Sequence, residues 1–278
     1  MVFQDLRRSI QGANHGQTRA TGLVTLAAMA VVACSSCAAP ATSGSLGTLT
    51  ALAQGCPSGR SVATLVELDG TGSSQADDIL SSRMAVVRDQ ATKVAVCSGQ
   101  LRVAVFTSGV SATKVVFDAP LSPPGATQIA QLRRVPELVD AAMKQIEAAY
   151  PQAVTSLPQT GTDVTAVFRS GAEYTAQVSA GKSPAPQVSL VVLTDGVQNL
   201  GLPLDQTTLT DEQATKLAAG TPTLPLDGVV VTFAGIGRVD GAEPPTSYVE
   251  ALKVFYRKTC EASRASSCSV VTDYAQGQ

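Results

Sequence analysis

The sequence predicts an α/β domain: a mostly parallel central sheet of about six strands with one antiparallel edge and helices on both faces. Three observations predict it. Apolar, β-branched runs of strand length recur at Val62–Leu68, Leu101–Phe106, Val188–Leu193 and Val229–Phe233. Stretches with helical spacing of apolar residues separate most of them. The runs are near-continuously apolar rather than alternating, as expected of strands covered on both faces. In such sheets ligands bind beyond the carboxyl ends of the strands, where the strand order changes direction.

The chain divides into three parts. Residues 1–33 carry Arg7, Arg8 and Arg19 ahead of an apolar stretch, Gly22–Ala33, that is short for a membrane span, and they end Val31-Val32-Ala33-Cys34. Small residues before a cysteine resemble the bacterial lipoprotein signal, which implies lipidation of Cys34 and anchoring on the extracytoplasmic face of the cell membrane. The alternative is an ordinary signal peptide cut near Ala39. Residues 34–60 are small, polar and rich in Gly and Pro, and are read as a flexible tether. The domain is expected over residues 61–278.

Export narrows the chemistry. Taking Arg7, Arg8 and Arg19 from the 20 basic residues and Asp5 from the 22 acidic ones leaves a net charge of −4, with no basic face for nucleic acid. The same cut removes His15, the one histidine. Ser-His-Asp and Cys-His catalysis and histidine-ligated zinc are thereby excluded from the exported form. Cysteines suit an oxidising compartment. Cys56 and Cys97 each precede a predicted strand by a few residues, so parallel neighbours would bring them to one sheet edge; Cys260 and Cys268 bracket a short turn. Both pairs are expected as disulfides, with Cys37 left over.

In order, the domain begins with the strand Val62–Leu68 and a turn, Asp69-Gly70-Thr71-Gly72-Ser73, that opens a helix over Gln75–Thr92. Asp77 and Asp78 fall in its first turn, where the helix dipole favours acids. Strands follow at Leu101–Phe106 and Lys114–Phe117, joined so closely that the second is expected as an antiparallel edge. A helix is expected over Ala126–Tyr150, broken before Pro136, then a loop over Pro151–Pro158. Thr162–Val178 has a weaker helical pattern. After the strand Val188–Leu193 come a short helix, Thr210–Ala219, with a Thr210/Gln213 capping box, and the strand Val229–Phe233. A Ser247–Glu261 helix with a Ser247/Glu250 box and a strand at Ser269–Thr272 complete the chain.

Asp69 and Asp195 stand at the carboxyl ends of the two most apolar strands. One carboxylate with hydroxyls at alternate positions, Asp69, Thr71 and Ser73, is an oxygen-only donor set that suits a hard cation. The bland reading is that both acids cap turns at strand ends.

These residues resemble the von Willebrand factor type A domain family. Its metal-ion-dependent adhesion site uses a D-x-S-x-S loop after the first strand, a distant threonine in a Gly-x-Thr-like loop, and an aspartate after the fourth strand, often in S/T-D-G. Asp69-Gly70-Thr71-Gly72-Ser73 matches the first element with Thr in place of the first Ser, Gly161-Thr162-Asp163 the second, and Thr194-Asp195-Gly196 the third. The resemblance implies Mg²⁺ or Mn²⁺ held by Asp69, Thr71, Ser73, Thr162 and Asp195. It further implies a position left for the carboxylate of a protein ligand, and adhesion without catalysis. Thr160 and Thr165 are alternatives to Thr162. An enzymatic alternative lies in Glu67-Leu68-Asp69-Gly70-Thr71, which resembles the DxDGT motif of haloacid-dehalogenase-like phosphatases with Glu67 in the nucleophile position. A third reading is a domain of this fold with a vestigial site.

Overall fold

The computed structural model describes residues 46–74 and 76–273. The expected signal segment over residues 1–33, with His15, and Cys34 and Cys37 lie outside the described residues.

Six strands form one sheet: β1 (Val62–Asp69), β2 (Gly99–Phe106), β3 (Thr113–Leu121), β4 (Gln187–Leu193), β5 (Val230–Ala234) and β6 (Ser267–Val271), in the order β3-β2-β1-β4-β5-β6. Only β3 runs antiparallel, as its short link to β2 requires. From β1 the chain crosses first to β2 on one side and later to β4 on the other, so the switch in strand order falls between β1 and β4. Leu68 pairs with Leu193 there, which sets Asp69 and Asp195 side by side just past the last paired residues.

Alternation along β1 divides the core. Val66 and Leu68 face helices α2 (Asp77–Val96) and α4 (Val135–Ser156), packing against Val87, Ala91, Met143 and Ile146. Ala63 and Leu65 face the opposite layer of α5 (Val167–Ser179), α6 (Asp211–Gly220) and α7 (Thr246–Ala262), among Phe168, Tyr174, Leu252 and Phe255. Both layers bury a continuous apolar face, and this accounts for the unbroken apolar runs in the central strands.

Three expectations need correction. The tether is not flexible throughout: α1 (Leu46–Gln54) is helical, and Leu49, 2 % exposed, docks into the α2/α4 layer. The Cys56–Cys97 disulfide ties the residues just after α1 to the end of α2. A short, Gly-containing segment has little helix propensity of its own, and packing with a covalent tie supplies what propensity does not. The helix after β3 breaks before Pro136 as expected, into α3 (Gln128–Leu132) and α4, but α4 runs through Pro151 to Ser156 where a loop was expected. The bond lost at Pro151 is offset by burying Tyr150, Ala153 and Val154 on one face. At α7 the N-cap is Pro245, so Ser247 lies inside the first turn, and Glu250 pairs with Lys253 instead of closing a box. The Thr210/Gln213 box forms as expected, and so does the Cys260–Cys268 disulfide.

Candidate functional site

Asp69 ends β1 with its carboxylate 0 % exposed. Its Oδ1 accepts from the Thr71 amide at 3.0 Å and from the Thr71 hydroxyl at 2.7 Å, closing the turn that leaves the strand. Its Oδ2 accepts from the Thr194 hydroxyl at 2.7 Å, across the seam between β1 and β4. Asp195, also 0 % exposed, accepts at Oδ1 from the Val197 amide at 2.8 Å and at Oδ2 from the exposed Ser73 hydroxyl at 2.6 Å. Asp69, Thr71, Ser73 and Asp195 thus form one connected set built from two loops, with Ser73 on its solvent side.

Backbone anchors hold the loops in place. The Gly70 amide donates to the Phe106 carbonyl and the Gly237 amide to the Asp195 carbonyl. The Asp240 amide donates to the Ser73 carbonyl, so the loop after β5 closes one side of the site. Gly196 sits at φ +78°, where a Cβ would come within 2.9 Å of Ile236 and 3.0 Å of Tyr256. Only glycine satisfies both the left-handed backbone and this close packing. The Tyr256 hydroxyl in turn donates to the Gly196 carbonyl at 2.8 Å.

Thr162 is brought to the same face through its backbone. Its amide donates to Asn199 Oδ1 at 2.9 Å, and its carbonyl accepts from the Asn199 and Leu200 amides, a few residues beyond Asp195. The Asp163 amide donates to the Thr107 carbonyl, tying the same loop to the end of β2. Gly161 is required here, because a Cβ would sit 2.5 Å from Asn199 Oδ1. No hydrogen bond joins Thr162 to Asp69 or Asp195 among the described residues, so it flanks the connected set without belonging to it. The neighbouring threonines are placed differently. Thr165 donates its hydroxyl to Asp163 Oδ1 at 2.6 Å, and Thr160 is exposed on the approach to the loop.

One residue of the site gives no signal in the sequence, and a second is read only as part of the T-D-G motif with no role of its own. Arg83 is 5 % exposed on α2, and its Nη1 donates to the Asp69 carbonyl at 2.9 Å. In sequence it reads as one more polar position on an amphipathic helix. Thr194 is matched as the first residue of the T-D-G element without a role of its own; its hydroxyl joins the two strand ends and also accepts from the Gly196 amide at 3.0 Å.

Electrostatically the site is strained. Burial first, and the neighbouring Asp69 charge second, push the Asp195 carboxyl up to about 6, against the opposing effect of the Ser73 and Val197 hydrogen bonds and of Arg83. Two buried acids at adjacent strand ends favour a cation between them. Among the described residues no three of His, Cys, Asp and Glu cluster closely enough to hold a metal by themselves. A cation here would therefore draw on hydroxyl and solvent oxygens beside the two acids. The donor set fits a hard ion that keeps water, and does not fit zinc or another soft-ligand metal.

Glu67 lies two residues earlier on β1, 1 % exposed, beside Ser170 and Arg102. Burial pushes its carboxyl up to about 8 and Oε2 has no hydrogen-bond partner among the described residues. It is a neutral acid in the interior at neutral pH, not an exposed nucleophile.

No family model matches the sequence, and no curated relative matches it. Solved structures do resemble the fold. The conserved hypothetical protein BatB from Bacteroides thetaiotaomicron is 12 % identical over 77 % of this chain and 91 % of its own, with a TM-score of 0.43. An aerotolerance-related membrane protein from Bacteroides fragilis is 18 % identical over 77 % of this chain and 92 % of its own, at 0.40. A von Willebrand factor type A protein from Catenulispora acidiphila is 15 % identical over 77 % of this chain and 39 % of its own, at 0.39. The strand order, and the placing of Asp69, Thr162 and Asp195 in three loops at one end of the sheet, are this chain's own; by them the domain is von Willebrand factor A-like in fold.

Proposed function

We propose that the loops after β1 and β4 hold a divalent cation, Mg²⁺ or Mn²⁺, and that the domain binds a protein partner whose carboxylate completes the coordination. The observation that carries this reading is the pair of fully buried carboxylates, Asp69 and Asp195, each hydrogen-bonded to a hydroxyl of the turn after β1. Two such charges destabilise one another unless a positive charge stands between them. Thr71 and Ser73 donate to the carboxylates and keep lone pairs for an ion, and Thr162 stands close by on its own loop. When bound, the ion would supply a Lewis-acidic position for an incoming acid. The protein residues orient the carboxylates, exclude bulk water from beneath them and keep Ser73 at the surface.

The Cys34 lipid anchor and a place at the bacterial cell envelope belong to the same reading. The end of β1 that carries Asp69 and the end of the domain where Cys56 meets Cys97 are opposite ends of the strands.

Calorimetric titration with Mg²⁺ and Mn²⁺, run on the protein and on Asp69→Ala, tests the proposal. Saturable heat in the first and none in the second supports it. Equal absence of heat in both would sink the cation and leave the fold with a vestigial site. The phosphatase alternative predicts turnover lost in Glu67→Ala. The burial of Glu67 and its raised carboxyl stand against that alternative.

A further inference from the structure

The loop that follows Asp195 is gripped at two places by one helix. α7 carries Tyr248 and Tyr256, both buried and about two turns apart. The Tyr256 hydroxyl donates to the Gly196 carbonyl at 2.8 Å, and the Tyr248 hydroxyl donates to the Leu204 carbonyl. The Tyr256 ring stacks on Phe233 at 4.9 Å and meets Phe255 edge-on at 5.1 Å, so its hydroxyl is delivered from a rigid support. Burial first, and the Asp195 charge second, push its phenol well above the ordinary tyrosine value; it stays protonated and donates.

Between those two grips the loop serves both sides of the proposed cation site. Asp195 immediately precedes Gly196, and Asn199 Oδ1 accepts from the Thr162 amide at 2.9 Å. Gln198, 0 % exposed, accepts from the Thr165 amide at 3.0 Å and donates to the Leu200 carbonyl at 2.9 Å. Residues 196–200 therefore join the turn that carries Asp195 to the loop that carries Thr162. Gly196 is the weak point of that link. It sits at φ +78° without a side chain, and glycine has the most backbone freedom to lose.

Resting on the cation reading above, we propose that Tyr256 is a positioning residue for the cation site. From α7 it fixes the Gly196 carbonyl, and through residues 196–200 it sets Asp195 and Thr162 relative to one another. It touches no ion itself. Its hydrogen bond supplies, at the one glycine of that link, the stiffness that a side chain cannot. Tyr248 acts farther along, at Leu204 and beyond Asn199, so it steadies the loop without setting either site residue.

Tyr256→Phe and Tyr248→Phe make the test, because each deletes one hydroxyl of α7 and leaves one buried carbonyl of the same loop unpaired. Each is compared with the parent protein by Mg²⁺ titration calorimetry and by thermal melts in EDTA. Both variants should melt below the parent, by similar amounts. Mg²⁺ affinity should fall about five-fold in Tyr256→Phe and stay at the parent value in Tyr248→Phe. In a double-mutant cycle, Thr162→Ala should weaken Mg²⁺ binding less in the Tyr256→Phe background than in the parent, since Thr162 is already displaced there. Parent-like Mg²⁺ affinity in Tyr256→Phe, an equal loss in both tyrosine variants, or additive losses in the cycle would overturn the proposal and leave the cation reading standing. No Mg²⁺ heat in the parent would remove the cation reading, and the proposal with it.

Discussion

The Ser73 hydroxyl donates to Asp195 Oδ2 at 2.6 Å, joining residues 122 positions apart in sequence. That bond closes the gap between the turn after β1 and the turn after β4. A second bond, from Thr194 to Asp69 Oδ2, runs the other way across the same seam. Each aspartate is thus held by a hydroxyl from the other's loop, and neither carboxylate can turn away from its neighbour without leaving a buried donor or acceptor unpaired. The repulsion registered at Asp195 is built in by the hydrogen bonds that fix it.

Asp195→Asn should therefore stabilise the metal-free protein. In the folded state Asp195 titrates at about 6 against an ordinary 3.8, so the folded form holds its proton more tightly than the unfolded chain. Stability falls as pH rises from about 4 to about 6 and is not regained above that. The neutral amide removes this loss, at most about 3 kcal/mol at pH 7. Thermal melts in EDTA should show a higher Tm for Asp195→Asn, and addition of Mg²⁺ should raise the melt of the unmodified protein alone. A lower Tm in EDTA for the variant would contradict the electrostatic account.

Glu67 gives a second and separable pH signature. Its folded carboxyl titrates at about 8, against 4.5 in the unfolded chain, because burial outweighs the help from Ser170 and Arg102. The sign is the same: stability is highest below pH 4.5 and declines through the window up to about 8. Glu67→Gln should flatten that slope in EDTA, with a gain of up to about 3 kcal/mol at pH 7. Mg²⁺ heats should be unaltered, since Glu67 is inside the domain and takes no part in the proposed cation site. Urea denaturation at pH 5, 6.5 and 8 makes the comparison, and parallel slopes for both proteins would refute it.

The two disulfides should differ in weight. Cys56–Cys97 spans 41 residues and Cys260–Cys268 spans 8. Chain-entropy estimates give roughly 4 kcal/mol for the longer loop and roughly 2.5 kcal/mol for the shorter. Cys56→Ser/Cys97→Ser should lose more stability than Cys260→Ser/Cys268→Ser. It should also free α1, whose other hold on the domain is centred on the buried Leu49. Limited proteolysis within residues 46–60 reads the second effect, and resistance there in the reduced variant would show that packing alone secures α1.

The frame was legible in the sequence because its signals are local. Val62–Leu68 and Val188–Leu193 announce buried strands, and the aspartates that end them can be read as a pair because strand ends gather at one edge. What stayed illegible depends on distant partners. Arg83 looks like any polar helix residue until α2 lies against β1 and its guanidinium meets the Asp69 carbonyl. The helix through Pro151 is held by buried neighbours that periodicity alone does not outvote a proline to reveal. α1 is a helix by docking. The groove lined by Val110, Asp163, Leu202 and Leu224 draws on four segments that no single stretch announces.

The choice among three threonines is decided by geometry and can be measured. Thr160 is exposed, and Thr165 has its hydroxyl committed to Asp163 at the start of α5. Thr162 is 6 % exposed, its backbone is clamped from both sides by Asn199, and its loop is fixed to Thr107. A residue held this firmly by its main chain presents its side chain in one place, which is what a ligand shared with a metal requires. Thr162→Ala should weaken Mg²⁺ binding about ten-fold while leaving the EDTA melt within about 1 kcal/mol of the parent, since the anchoring bonds are all backbone. Thr160→Ala should change neither. Asn199→Ala separates the clamp from the ligand. It strips the acceptor from the Thr162 amide, so it should lower the melt by roughly 1–2 kcal/mol and weaken the cation response together. Full cation response in Thr162→Ala, with loss in Thr165→Ala, would move the third loop's contribution to Thr165 and with it the edge of the site.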